Sequence, residues 1–163
     1  MKRGRSGNAV IETAMWMPIL FLLIVGMIQF GKLTYLDHVL SKIVYNAARN
    51  LATGQNLNFC DPADPATVAA VAAAISDPAT GEPLITNLTA DMLVVTTQCV
   101  DSTGVIGSCD VTGCQGVTGA QRPDFVTVAI SGGYIFPLRI PYINLDPVVL
   151  RPSSTAPFGG SKL

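Results

Sequence analysis

The sequence predicts an α+β protein in which one long N-terminal helix, first transmembrane and then amphipathic, packs on a small antiparallel sheet. Three features indicate this fold. Thr13–Gly31 carries no charged side chain, the residues after it are apolar on one helical face up to Gly54, and two later segments are rich in Val and Thr. With 163 residues, of which 13% are charged, the chain allows one small domain beside the apolar helix.

The uncharged stretch is long enough to cross a membrane. Its nineteen residues span about 28 Å as a helix, close to the hydrocarbon thickness of a bilayer. The alternative is a helix buried in a soluble core, but the length and the N-terminal position favour a membrane span. Lys2, Arg3 and Arg5 precede the span, so the positive-inside rule predicts a cytoplasmic N-terminus. We expect a single pass through the inner membrane with a periplasmic C-terminal domain.

The charge of the C-terminal part excludes one class of partner. From Asp61 onward there are nine acidic residues and four basic ones, without a basic cluster. Such a domain is a poor ligand for phosphate backbones, so no nucleic acid partner is expected. His38 is the only histidine, and neither a nucleophile motif nor a glycine-rich phosphate loop accompanies it. The sequence therefore predicts a protein that is not an enzyme and has neither a cofactor nor a metal site.

Four cysteines, Cys60, Cys99, Cys109 and Cys114, follow the predicted span. An even number in a small exported domain favours disulfides. We predict the pairs Cys109–Cys114 and Cys60–Cys99. A zinc site is the alternative, and only His38 could join it.

The first residues form a possible processing site. Arg5-Ser6-Gly7-Asn8-Ala9-Val10-Ile11-Glu12 resembles the type IV prepilin signal. The resemblance implies that residues 1–7 are a leader cut after Gly7, that Asn8 becomes the N-terminus, and that Glu12 becomes the fifth mature residue. There the carboxylate would set register by pairing with the N-terminus of a neighbouring subunit. Alternatively, Glu12 is solvated by lipid head groups at the membrane edge.

The order of elements follows from these signals. We predict a transmembrane helix over 8–31, in which Pro18 kinks the helix, an amphipathic stem over 32–54, and an α+β domain over 55–163. A short helix should start at Pro65, capped by Asp64, with an apolar stripe formed by Val68, Val71 and Ile75.

The remaining elements are strands and loops. Strands are predicted at Met92–Val100, Phe125–Ser131, Tyr134–Ile140 and Val148–Leu150. Gly132-Gly133 forms either a hairpin turn or a bulge within one long strand. Gly104–Pro123 is expected to be a disulfide-stapled loop, and the tail from Pro152 to be mobile.

A closer resemblance covers residues 4–54. Gly7–Ala14, Pro18-Ile19-Leu20, Gly26, Phe30-Gly31 and Ala47-Ala48-Arg49 resemble the TadE family, small pilin-like components of the tight-adherence (Tad) pilus machinery. Thr13 departs from the pattern, since an aromatic residue often follows the glutamate. The resemblance implies a minor pilin or pseudopilin that contributes to pilus assembly, the tip or adhesion.

The expected partners are other pilin subunits, prepilin peptidase, the inner-membrane pilus platform and membrane lipid. Two alternatives remain open: a membrane-anchored periplasmic binding module that does not polymerise, and a type II secretion pseudopilin.

Overall fold

The computed structural model describes residues 6–54, 57–59, 64–109, 123–140, 143–144 and 146–159. The chain divides into two compact units, one made of residues 1–36 and 135–148 and the other of 37–134 and 149–163. The architecture is α+β, a long N-terminal helix and a small antiparallel sheet, as the sequence predicts.

The first helix, α1 (Ser6–Thr53), is continuous over 48 residues and contains Pro18. It ends next to Gly54, which sequence predicts as the end of the stem, and the Gly54 amide donates to the Leu51 carbonyl. From Leu40 onward one face is buried at three- and four-residue steps: Leu40, Ile43, Val44, Ala47, Ala48 and Leu51. This face supplies much of the core of the second unit. Its burial favours folding, because removing apolar side chains from water is the main favourable term in folding.

The second helix, α2 (Pro65–Ile75), begins as predicted. The Asp64 carboxylate accepts a hydrogen bond from the Thr67 amide at 2.9 Å, and Pro65 occupies the first turn. The predicted apolar stripe is partly wrong, because Val68 is exposed and Thr67 is buried beside Val71 and Ile75. Burial of Thr67 is tolerated since its hydroxyl donates to the same Asp64 carboxylate at 2.9 Å.

A four-stranded antiparallel sheet covers this core. Its strands are β1 (Leu93–Val100), β2 (Ile106–Ser108), β3 (Phe125–Ile130) and β8 (Ser153–Pro157), in the order β2-β1-β3-β8. A 3₁₀ turn, Ala90–Met92, leads into β1. Val126, Val128 and Ile130 of β3 are buried and their neighbours are less so, which confirms the predicted alternation. Leu93 and Ile130 lie opposite each other in the β1–β3 register.

The outer strands of the sheet differ from the sequence-based predictions. Residues 153–157 of the expected mobile tail are an edge strand, since their backbone pairs with β3 and Thr155 Oγ1 lies 2.8 Å from Thr127 Oγ1. A short strand, β2, also lies within the expected loop 104–123 and pairs with β1.

Gly132-Gly133 forms a turn but neither a hairpin nor a bulge, because β4 (Tyr134–Phe136) pairs with β7 (Val148–Leu150) rather than with β3. Both glycines have positive φ, 70° and 81°. A second two-stranded sheet joins β5 (Arg139–Ile140) to β6 (Ile143–Asn144), where the sequence predicts one continuous strand over 134–140.

Candidate assembly site on the N-terminal helix

The predicted processing residues lie at the start of α1. Gly7 and Asn8 belong to its first turn, and Glu12 follows one turn after Asn8. Side chains on a helix lean toward its N-terminus, so the Glu12 carboxylate leans toward the turn that contains Asn8. A cut after Gly7 would therefore create a new α-amino group on the side toward which this carboxylate leans.

The environment of Glu12 is apolar and open. Its neighbours Val10, Ile11, Met15 and Trp16 are exposed by 59–72%. The Glu12 side chain is itself exposed, and it makes no hydrogen bond or ion pair with the described part of the chain. The first basic residue after Glu12 on α1 is Lys32, about five and a half turns away. A carboxylate within a membrane-spanning segment costs roughly 2.5–3.5 kcal/mol on insertion scales unless it is compensated. Among the described residues, no group compensates the charge of Glu12.

The first half of α1 has the length and composition of a membrane anchor. Between Val10 and Thr53 it contains an apolar window with a mean hydropathy of 2.0, and none of that window is buried. A soluble core helix would bury these side chains, because exposed apolar patches of this size are rare on soluble monomers. The finding indicates a membrane anchor.

One face of this segment carries a shallow apolar groove centred on Gly26. Its lining is Ile19, Leu22, Leu23, Gly26, Met27 and Phe30. A Cβ placed on Gly26 would have no neighbour within 4 Å, so the space above the glycine is open. Since a facing helix packs by inserting side chains between those of its partner, this groove can receive one side chain from a second helix. The sequence analysis did not identify this groove, whose signal is a glycine flanked by large side chains three and four residues away.

Pro18 directly precedes Ile19, the first residue of the groove, and lies about two turns before Gly26. It cannot donate a hydrogen bond to the Ala14 carbonyl, yet α1 continues through it. The predicted kink at Pro18 stays a prediction.

The cysteine pairing differs from both predicted pairs. Cys99 is bonded to Cys109, with the Cα atoms 4.9 Å apart. The physical reason is the β1–β2 pairing, which places Cys99 opposite Gly107 and brings Cys109 next to it. Cys60 and Cys114 lie outside the described residues.

Two aspartates outside the helix have structural roles. Hydrogen bonds from the Thr67 amide and hydroxyl lower the pKa of Asp64 at the start of α2. In the β1–β2 turn, the Thr103 hydroxyl and then the Val105 amide lower the pKa of Asp101. Both carboxylates serve as caps for local backbone.

His38 is exposed on the stem. Within the part of the chain that the structure describes, no three His, Cys, Asp or Glu side chains lie close enough together to hold a metal ion.

The N-terminal helix matches a known protein family. The family model for TadE-like protein matches residues 7–49. No curated protein and no solved structure matches the chain significantly. The matched residues include Gly7, Glu12, Pro18 and the Gly26 groove. Residues 7–49 of this protein are therefore similar to TadE-like proteins, which confirms the resemblance predicted from sequence.

Proposed function

We propose that this protein is a minor pilin or pseudopilin of a Tad-type pilus and has no enzymatic activity. It enters the inner membrane once, with its N-terminus in the cytoplasm and its C-terminal domain in the periplasm. Prepilin peptidase removes residues 1–7, and the mature chain joins other pilin subunits on the inner-membrane pilus platform. Its contribution is to assembly, to the tip or to adhesion.

One observation carries this proposal: within the described residues the exposed Glu12 carboxylate has no hydrogen-bond or ion-pair partner, and it lies in an apolar helix that matches the TadE-like family model. An isolated carboxylate in lipid is costly, and pairing with a cation offsets part of that cost. The free α-amino group at Asn8 of a neighbouring processed subunit is such a cation. Pairing between subunits compensates both charges only when the helices are staggered by a fixed distance, so it also sets the register.

The Gly26 groove supports lateral packing of the same helices. Association in lipid lacks a hydrophobic driving force and depends on close van der Waals contact. A glycine between Leu22, Leu23 and Met27 lets a side chain of an adjacent helix approach the backbone. We therefore assign Glu12 to register and the groove to packing.

The test is removal of the Glu12 charge in the full chain, in a host that carries the pilus machinery. Glu12→Gln keeps the size of the side chain and removes its charge. We expect the variant to insert into the membrane normally and to disappear from the sheared pilus fraction. Asp37→Asn, which removes an exposed carboxylate from the same helix, is the matched control and should incorporate normally. Normal incorporation of Glu12→Gln would favour a simple membrane-anchored periplasmic module.

A further inference from the structure

The stem part of α1 carries a basic stripe on the face opposite its buried side. We define the stem stripe as His38, Lys42, Tyr45 and Arg49. Their steps of four, three and four residues place them on one helical face. All four are exposed, and Tyr45 is exposed by 54%. The buried residues Leu40, Ile43 and Ala47 occupy the other side of the same turns.

The stem stripe has no partner within the described chain. None of its four side chains forms a hydrogen bond, ion pair or ring contact there. Lys42 and Arg49 are positively charged at neutral pH, and an aromatic ring lies between them. Arginine and tyrosine, together with tryptophan, are enriched among the residues that contribute most binding energy in protein interfaces. The stripe therefore has the composition of a contact surface for an anionic partner.

The same unit presents carboxylates that could be this partner in a second copy. Four of its aspartates already accept internal hydrogen bonds: Asp64 from Thr67, Asp77 from Ala79, Asp101 from Thr103 and Asp124 from Val100.

Asp37 also belongs to this unit and is exposed, but it lies on the stem itself, directly before the stripe. On other elements of the unit, Glu82 and Asp91 differ from these four. Both are exposed, and neither side chain is bonded within the described residues. They lie in adjoining parts of the fold, since Glu82 is in the turn after α2 and Asp91 is in the 3₁₀ turn that contacts α2.

We propose that the stem stripe of one copy binds Glu82 and Asp91 of a second copy. The two surfaces have opposite charge and lie on different elements of one chain, so the contact is head-to-tail. A head-to-tail contact can repeat from copy to copy and build an open array. The proposal rests on the proposed function in one respect, because helices fixed side by side in a membrane or fibre supply the high effective concentration that a small charged contact needs.

A second copy fits the stripe better than an anionic lipid surface. Arg49 lies 18 residues beyond Gly31, about 27 Å farther along the helix at 1.5 Å per residue. The polar zone on each side of the hydrocarbon core is only about 5–8 Å deep. Head groups can therefore reach the first residues after the span but not Tyr45 and Arg49, which need a protein partner.

The test is photo-cross-linking in the full-length protein in its native membrane. A photoreactive phenylalanine analogue replaces Tyr45, and mass spectrometry locates the cross-linked peptide. We expect a peptide from a second copy that contains Glu82 or Asp91. The double reversal K42E/R49E should reduce the yield about tenfold, because each exposed ion pair is worth a factor of roughly two to five. K32E/R151E reverses one lysine and one arginine outside the stripe and should leave the yield unchanged.

Rescue separates the proposed contact from a folding defect. The chain that combines K42E/R49E with E82K/D91K exchanges the two charges and should regain most of the cross-link. Failure of that rescue, or a cross-link to any other peptide or to lipid, would overturn the proposal. In the same sample, mass spectrometry of the N-terminal peptide shows separately whether residues 1–7 have been removed. An uncut chain that still forms the Tyr45 cross-link contradicts the proposed function but not the contact.

Discussion

The disulfide between Cys99 and Cys109 allows a quantitative prediction. The bridge joins residues ten positions apart, on β1 and just after β2. In the chain-entropy relation, closing a loop of this length removes about 2.7 kcal/mol of conformational freedom from the unfolded chain at 25 °C. The double variant C99A/C109A should therefore lower the free energy of unfolding of the C-terminal domain by about 2–3 kcal/mol.

The assay is urea denaturation of the full-length protein in detergent micelles, with protection of the C-terminal domain from protease as the signal. For a urea slope of about 1–3 kcal/mol/M, the midpoint should fall by roughly 1–2.5 M. Thr96→Ala, an exposed substitution on the same strand, should move it far less. A midpoint for C99A/C109A equal to that of Thr96→Ala, or non-reducing peptide maps without the Cys99–Cys109 peptide, would refute the reasoning.

Three further predictions use the same titration. Leu40→Ala removes a fully buried side chain of the stem and should cost about 2–5 kcal/mol of unfolding free energy; a loss below about 1 kcal/mol would contradict the assignment of this face to the core. Gly133→Ala should lower the free energy of unfolding by at least about 1 kcal/mol more than Gly132→Ala does. Both glycines have positive φ, but only at Gly133 would a Cβ meet Val149 Cγ1 at 2.5 Å and the Leu150 oxygen at 2.9 Å. Hydrogen bonds lower the pKa of Asp64 and Asp101 in the folded state, so the stabilisation that these carboxylates give is complete above the unfolded-state pKa of about 3.9. It is lost as the pH falls through the lower folded-state pKa. The urea midpoint should therefore decrease when the pH is lowered below about 4, and D64N/D101N should make that decrease smaller.

The helical part of the fold could be predicted because its signals are local. The apolar span and the one-sided stem each repeat at helical steps, and the Asp64-Pro65 pair marks the start of α2. Alternation along β3 likewise reports which residues are buried, because one face of the sheet packs on the core. Asp64 and its hydrogen bond to Thr67 therefore appear where the sequence places the start of a helix.

The errors concern pairing between distant segments. Ser153–Pro157 contains small polar residues without an apolar pattern, and only its hydrogen bonds to β3 make it a strand. Ile106–Ser108 is likewise a strand only through its pairing, here with β1, and its residues are all exposed. Missing β2 led directly to the wrong cysteine pairs, because the β1–β2 register decides which cysteine lies beside Cys99.

For the candidate site, the resemblance to the prepilin signal places Gly7, Asn8 and Glu12 at the start of the apolar helix, and their roles stay predictions. The Gly26 groove and the stem stripe were not recognised, since each depends on which side chains share a helical face and on which of them the rest of the chain covers.

The intact mass and N-terminal peptide of the protein, extracted from the membrane of a host with the peptidase, test the central claim most directly. If the Glu12 carboxylate acts with a newly exposed amino group, the purified chain begins at Asn8. A chain that still begins at Met1 or Ser6 in such a host would contradict the account, because the cation that it assigns to Glu12 would not exist.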